Sequence, residues 1–261
     1  MSKTQRDRIS KILIIVGILM IMCPIMIRVG NSIITARKIS TFQKDVNEKP
    51  KEDKNDDTTI DDSLFDENTD TSEKGIANLK PAKSSKGDLK ELYQKMKMYN
   101  LELNTKGQDV VDAFSYQDES VDLTEYGFKQ NVIGVINIPK LKVKLPIYLG
   151  ATTANMKKGA VHLTTTSLPL GEINSNVVIA AHRGMVRNKM FRHLDKLEEG
   201  DRVIITTMWD TLEYKVCKKE IIEPTDSSKI LIQKGKDMVT LITCHPFRVN
   251  THRYVVYCER V

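Results

Sequence analysis

The sequence predicts a mainly β domain, a barrel or sandwich of short strands, standing behind an N-terminal membrane-spanning helix and a charged linker. An uncharged apolar run occupies residues 12–27. Residues 43–75 are dense in Asp, Glu, Lys, Asn and Thr, with almost no large apolar side chains. From residue 132 onward, short β-branched runs alternate with Gly, Pro, Asn and charged turns, the pattern of an all-β architecture.

A chain of 261 residues has room for one sizeable domain and its appendages. The run ILIIVGILMIMCPIMI lies between Lys11 and Arg28. At about 1.5 Å per residue it reaches roughly 24 Å, a little short of a bilayer core unless Ile9, Val29 and the snorkelling side chains of Lys11 and Arg28 extend it. A cleaved signal peptide is the rival reading. Against it, no small-x-small site follows promptly, and Met20-Ile21-Met22 lacks the small residue expected before a lipidated Cys23. The reading is therefore an uncleaved anchor over 12–30, with residues 1–11 cytoplasmic and the remainder outside the cell membrane. Lys3, Arg6, Arg8 and Lys11 against Arg28, Arg37 and Lys38 give a modest positive-inside bias. Residues 31–87 read as a disordered charged linker, because burial there cannot offset the entropy of ordering.

Residues 88–130 open the folded part. Asp88 is placed to cap a helix whose Leu89, Leu92, Tyr93, Met96, Tyr99 and Leu103 recur at helical spacing, ending near Gly107. Over 131–261 the segments VIGVINIP, VKLPIY, NVVIAAH, DRVIITT, LEYKVCK, MVTLITC and RYVVYCERV read as strands. NKMFRHLDKLEEGD (188–201) interrupts them as a short helix with Met190, Phe191, Leu194 and Leu197 on one face.

Composition narrows the function classes. The net charge of +6 is diluted by blocks of opposite sign, and no basic stretch is interleaved with aromatics of the kind that stacks bases, so nucleic acid is not an expected partner. Cys23, Cys217, Cys244 and Cys258 include no CxxC pair, which argues against a zinc site or a dithiol redox motif. Cys217 and Cys258 sit in strand-like segments and are expected to be buried free thiols rather than a bridge. No calcium-loop spacing is present, and no cofactor or metal is implied.

The last two strands carry the chemistry. TLITC (240–244) and the strand from Arg253 flank the loop HPFRVNTH; as antiparallel neighbours they place Cys244 opposite Arg253 at its mouth. A guanidinium beside a thiol favours the thiolate and can steady an oxyanion. The same pairing also describes a small core residue beside a surface arginine. A cysteine nucleophile needs a proton carrier, and His162, His182, His193, His245 and His252 are available. His182 follows the apolar run NVVIAA directly, at a strand end that can present an imidazole into a cleft. His193 reads as half-buried packing, His245 and His252 as loop residues, and His162 as a weaker candidate. Sequence order alone does not select among them.

These motifs resemble a known family. TLITC followed by Arg253 in NTHR, with His182 in AAHRG, is similar to the sortases. YQKMKMYNLEL, GVINIPKLKVKLPIYLGAT, GAVHL, SLPLG, AHRG, MFRHLDKLEEGD and VTLITC...VNTHR follow the order of the class C, pilin-polymerising branch over roughly residues 88–261. The resemblance implies an eight-stranded sortase-type β-barrel with short helices around it. It implies Cys244 as nucleophile, His182 as the imidazole that protonates the leaving amine, and Arg253 as the group binding substrate or oxyanion. The implied reaction cleaves an LPxTG-like sorting signal between Thr and Gly through a thioacyl enzyme. Its implied partners are LPxTG-type surface proteins or pilins and an amine acceptor, either a pilin lysine or a cell-wall peptide. Class C members also resemble one another in a lid carrying Asp-Pro-aromatic; Asp112-Ala113-Phe114 stands there, implying that Asp112 pairs with Arg253 and Phe114 covers Cys244. Ala113 replaces the proline that fixes φ. His245 stands where a hydroxyl residue is common, and no second membrane segment precedes Val261; both bear on substrate choice. The rival functions are a cysteine protease or amidase with water as acceptor, and a non-catalytic surface adhesin or scaffold.

Overall fold

The computed structural model describes residues 3–47, 89–184 and 190–261. Eight strands form its frame: β1 (Val132–Ile138), β2 (Val143–Leu149), β3 (Ala160–His162), β4 (Ser175–Ala180), β5 (Arg202–Thr207), β6 (Thr211–Ile222), β7 (Asp237–His245) and β8 (His252–Arg260). They close into a barrel in the order β1-β2-β3-β4-β7-β8-β6-β5. Closure leaves no edge strand of this sheet unpaired, so the backbone groups of β-branched segments are satisfied all round. Most neighbours are antiparallel; β2 with β3 and β4 with β7 are parallel.

Burial follows the sequence pattern. β5 alternates exposed and buried positions, with one face on the core and one in water. Every residue of β4 is buried, as its unbroken apolar run suggests. Seven of these strands are legible in the sequence. β3, in GAVHL, spans too few residues to show alternation, and exists because β2 and β4 each supply it a ladder.

The first helix of the folded part, α2 (Leu89–Lys106), buries Leu92 and Met96 and stops before Gly107, whose φ of 87° is left-handed. Buried Asn100 lies on the same face. Its Nδ2 donates to the Leu168 carbonyl at 3.1 Å and its Oδ1 accepts from the Leu168 N–H at 2.7 Å, replacing a missing strand partner. The Asp88 cap lies outside the described residues.

Two expectations change. No helix forms within the described part of 188–201; only a 3-10 turn does, Leu194–Lys196. The Phe191 N–H turns back to donate to the His182 carbonyl at 3.1 Å, which spends a backbone donor that a helix would need. The anticipated apolar face survives, since Met190, Phe191, Leu194 and Leu197 are all buried. The second change is N-terminal. α1 (Lys3–Asn47) is continuous, so residues 31–47 are helix and not linker. Ile39, Phe42 and Asp45, three apart on one face, are buried against the barrel. Asp45 accepts from the Lys129 N–H at 3.3 Å and pairs with the Lys129 ammonium at 3.4 Å, while the Lys38 ammonium lies 5.7 Å from the Tyr148 ring centre. A composition argument overlooks so narrow an apolar stripe. The rest of the expected linker, 48–87, lies outside the described residues. The expected anchor, 12–30, falls inside α1, where Leu13, Ile18, Leu19 and Met20 stand exposed. Among the described residues, no helix is long and apolar enough to cross a membrane.

Candidate active site

The site forms where β4, β7 and β8 end together. Parallel pairing sets Ala180 beside Ile242. One residue on, the Ala181 N–H donates to the Ile242 carbonyl at 3.2 Å, and the buried Thr243 Oγ1 donates to the Ala181 carbonyl at 2.8 Å. His182 and Cys244 each stand two residues beyond the Ala180–Ile242 pair, at the corresponding ends of neighbouring strands. Across the antiparallel ladder, Cys244 pairs directly with Arg253. Residues opposite one another on adjacent strands project to the same face, so thiol and guanidinium share one side of the sheet, and one ring, that of Phe114, lies against both the Arg253 guanidinium and the His182 imidazole.

Arg253 is 8 % exposed. Its Nη1 donates to the carbonyls of Asn250 at 3.0 Å and His252 at 2.9 Å, which fixes the guanidinium from the loop side. Asn250 turns its carbonyl inward from a left-handed backbone, φ 64°, a conformation asparagine tolerates. On the other side Asp112 grips the fork: Nε to Oδ1 and Nη2 to Oδ2 are both 2.7 Å. Phe114 packs between the two functional groups, its ring centre 5.1 Å from the Arg253 carbon and 5.9 Å from the His182 ring centre.

The segment bearing Asp112 and Phe114 is a strap fastened at both ends. Thr165 Oγ1 donates to the Asp109 carbonyl at 2.7 Å; the Gln117 N–H donates to the Ala151 carbonyl at 3.4 Å, and Thr164 Oγ1 to the Asp118 carbonyl. Its tip is a turn closed by the Ser115 N–H on the Asp112 carbonyl at 2.9 Å. Ala113 is buried, 2 % exposed. The turn bond and that burial hold the tip, against the roughly 0.4–1 kcal/mol of backbone entropy a proline removes.

Charge and burial set the resting protonation. Burial pushes the Cys244 thiol above its ordinary value; Arg253 and Arg183 pull it back and Asp112 opposes them. Burial also lowers the His182 imidazole. With the strap in place the neutral thiol and neutral imidazole dominate near pH 7, and the thiolate–imidazolium pair is the minor form.

Sequence reasoning passed over Arg183 except as a flank of His182. Its Nη1 donates to the Cys244 carbonyl at 3.4 Å and to His245 Nδ1; its Nη2 lies 3.6 Å from Asp195, and its guanidinium carbon 5.8 Å from the Tyr254 ring centre. The fold-back of the 190–196 turn, which brings Asp195 here, leaves no periodic signal. The other histidines lie elsewhere. His162 is fully buried with Nε2 2.9 Å from the Ser167 carbonyl, its pKa lowered to about 4 by burial. His252 Nε2 is 3.0 Å from Glu223. His193 is exposed at the start of the 3-10 turn, not half-buried on a helix. Cys217 and Cys258 are free thiols; Cys258 is buried as expected, whereas Cys217 is exposed at the bulge of β6 between Val216 and Lys218. Among the described residues, no group of His, Cys, Asp and Glu is placed to hold a metal ion.

The family model for the sortase domain matches residues 136–261. Sortase D of Bacillus subtilis (strain 168) is 31% identical over 131 residues, 49% of this chain and 63% of that protein. The chain thus spans less than two thirds of this curated relative. Among solved structures, the sortase C of Streptococcus pneumoniae is 32% identical with TM-score 0.58, covering 67% of this chain and 90% of that one. Sortase C1 of pilus island 1 of group B Streptococcus is 31% identical with TM-score 0.58, covering 66% and 82%.

Proposed function

Because the chain belongs to the sortase family, we propose that it is a membrane-anchored cysteine transpeptidase acting on LPxTG-type surface proteins or pilins. The observation that carries this reading is the pairing of Cys244 with Arg253 across β7 and β8, with the Arg253 guanidinium and the His182 ring both against Phe114. The likeness to class C structures, one of them named for a pilus island, supports pilins as substrates. The exposed apolar side chains of α1 support an anchor with the barrel outside the membrane.

The proposed chemistry follows from the groups present. The Cys244 thiolate attacks the threonyl carbonyl of the sorting signal, and the tetrahedral oxyanion takes the N–H groups of Arg253 once Asp112 has withdrawn. The Thr–Gly C–N bond breaks as the His182 imidazolium gives its proton to the leaving amine, leaving a thioester on Cys244. A second amine, from a pilin lysine or a cell-wall peptide, attacks that thioester; neutral His182 takes its proton and the thiolate departs. No cofactor enters the scheme.

The test is incubation with an LPxTG peptide and a primary amine, followed by mass spectrometry. An amide product that vanishes in Cys244→Ala is expected. Hydrolysis with no amide at any amine concentration would refute transpeptidation.

A further inference from the structure

We propose that Arg183 is a positioning residue for the nucleophile, holding the end of β7 by gripping the Cys244 carbonyl and the His245 ring together from the far side of the strand. This rests on the reading of Cys244 as nucleophile. Arg253 reaches Cys244 as its pair across the β7/β8 ladder, and Asp112 grips Arg253. Arg183 reaches the same residue through its backbone, with the guanidinium itself held in a frame. Asp195 lies 3.6 Å from Nη2, the Tyr254 ring lies 5.8 Å from the guanidinium carbon, and His245 Nδ1 accepts from Nη1. His245 is braced in turn, its ring centre 5.7 Å from that of Tyr254. A planar fork suits this task because it presents several N–H groups in fixed directions, which an ammonium does not.

The frame has two consequences. First, a cysteine one residue from the end of its strand is otherwise free to tilt away from His182, and about 1 Å of misplacement costs on the order of a hundredfold in rate. Thr243 ties this strand end to Ala181, and Arg183 ties it to the chain segment carrying His182. Second, the charges acting on the thiol are Arg253 from β8, Asp112 from the strap and, through the strand, Arg183 from the segment after β4. Asp112 offsets Arg253, whereas Arg183 is held by Asp195, His245 and Tyr254, none of which belongs to the strap. His245 is surrounded by Arg183, His252, Asp195 and Tyr254, and its imidazole is lowered by burial and then by the Arg183 guanidinium, which keeps Nδ1 an acceptor at neutral pH. The residue after the nucleophile is thus the second arm of the clamp.

The experiment compares wild type, Arg183→Ala, Arg183→Lys and His245→Ala by two readouts. The pH dependence of Cys244 alkylation by iodoacetamide needs no peptide, and kcat and KM are measured with LPxTG peptide and amine. Arg183→Ala is expected to lower kcat roughly ten- to a hundredfold with little change in KM, and to move the alkylation midpoint upward. Arg183→Lys keeps the charge but loses the fork, so its alkylation midpoint stays near wild type while kcat remains low. His245→Ala removes one arm and lowers kcat by less than Arg183→Ala does. If Arg183→Ala does not fold, Arg183→Lys decides by the same split. Wild-type kcat in Arg183→Lys overturns the proposal, as do equal losses of kcat and thermal stability in both variants with an unmoved alkylation midpoint. A wild-type enzyme that makes no amide refutes the transpeptidase reading instead, and the alkylation profile still judges Arg183.

Discussion

Removing the grip of the strap on Arg253 should expose and activate Cys244 together, and the two effects separate by pH. In Asp112→Ala, Phe114→Ala the guanidinium loses two charge-assisted hydrogen bonds of 2.7 Å each and the ring stacked on it. Bonds to charged groups contribute about 1.5–3 kcal/mol apiece. Arg253 keeps the Asn250 and His252 carbonyls, and water replaces part of what Asp112 supplied. A net loss of about 2–3 kcal/mol from the closed state is therefore reasonable, which shifts the closed–open balance roughly 30- to 150-fold toward open. The rate of Cys244 alkylation near pH 7 should rise by tens of fold, up to the limit set by the exposed thiol. Because Asp112 also pushes the thiol upward, the alkylation midpoint should move to lower pH in Asp112→Ala. Phe114→Ala alone should raise the rate with little movement of the midpoint. Stopped alkylation followed by intact-mass analysis reads both. Alkylation and peptide turnover indistinguishable from wild type in the double variant would refute the idea that this segment gates the site.

The remaining predictions concern stability, alignment and thiol state. His162 is buried as a neutral ring whose Nδ1 has no hydrogen-bond partner, and its folded pKa of about 4 lies below the unfolded 6.5. The unfolded chain takes up the proton first, so the contribution is complete above about pH 6.5 and is lost as pH falls toward 4, about 3 kcal/mol in all. His162→Gln can still donate to the Ser167 carbonyl and should flatten that dependence in urea melts at pH 7 and 4.5; equal pH sensitivity in both proteins would contradict it. Thr243→Val removes the 2.8 Å bond to the Ala181 carbonyl and should cost about 1–3 kcal/mol together with a fall in kcat, measured by thermal melts and peptide turnover. Denaturing alkylation of residues 31–261 should count Cys217, Cys244 and Cys258 as free, with Cys217 labelled fastest before denaturation and Cys258 protected. Recovery of Cys244 alone would mean that the other two are bridged.

Much of this architecture is written locally. Strand runs such as NVVIAA and TLITC, the helical spacing of Leu92 and Met96, and the hairpin that pairs Cys244 with Arg253 all follow from periodicity and turn residues, which act over a few neighbours. Choosing His182 among five histidines is different. It depends on the parallel contact of β4 with β7, between strands far apart in the chain, and no local pattern announces that contact. In the sequence reading the choice came from family resemblance.

Sequence alone was enough for the β class, the hairpin that pairs Cys244 with Arg253 and, through resemblance, the family and the Asp112–Phe114 segment. It took long-range packing to decide that residues 31–47 continue α1 and dock on the barrel, that 190–201 folds back in place of forming a helix, and that Arg183 reaches the Cys244 carbonyl. Each of these rests on long-range partners: Lys129 for Asp45, the His182 carbonyl for the Phe191 N–H, and Asp195 and Tyr254 for Arg183. Composition and spacing report what a segment can bury along its own length. They carry no record of which distant groups will satisfy its remaining donors and charges, and at this site those distant partners place the side chains.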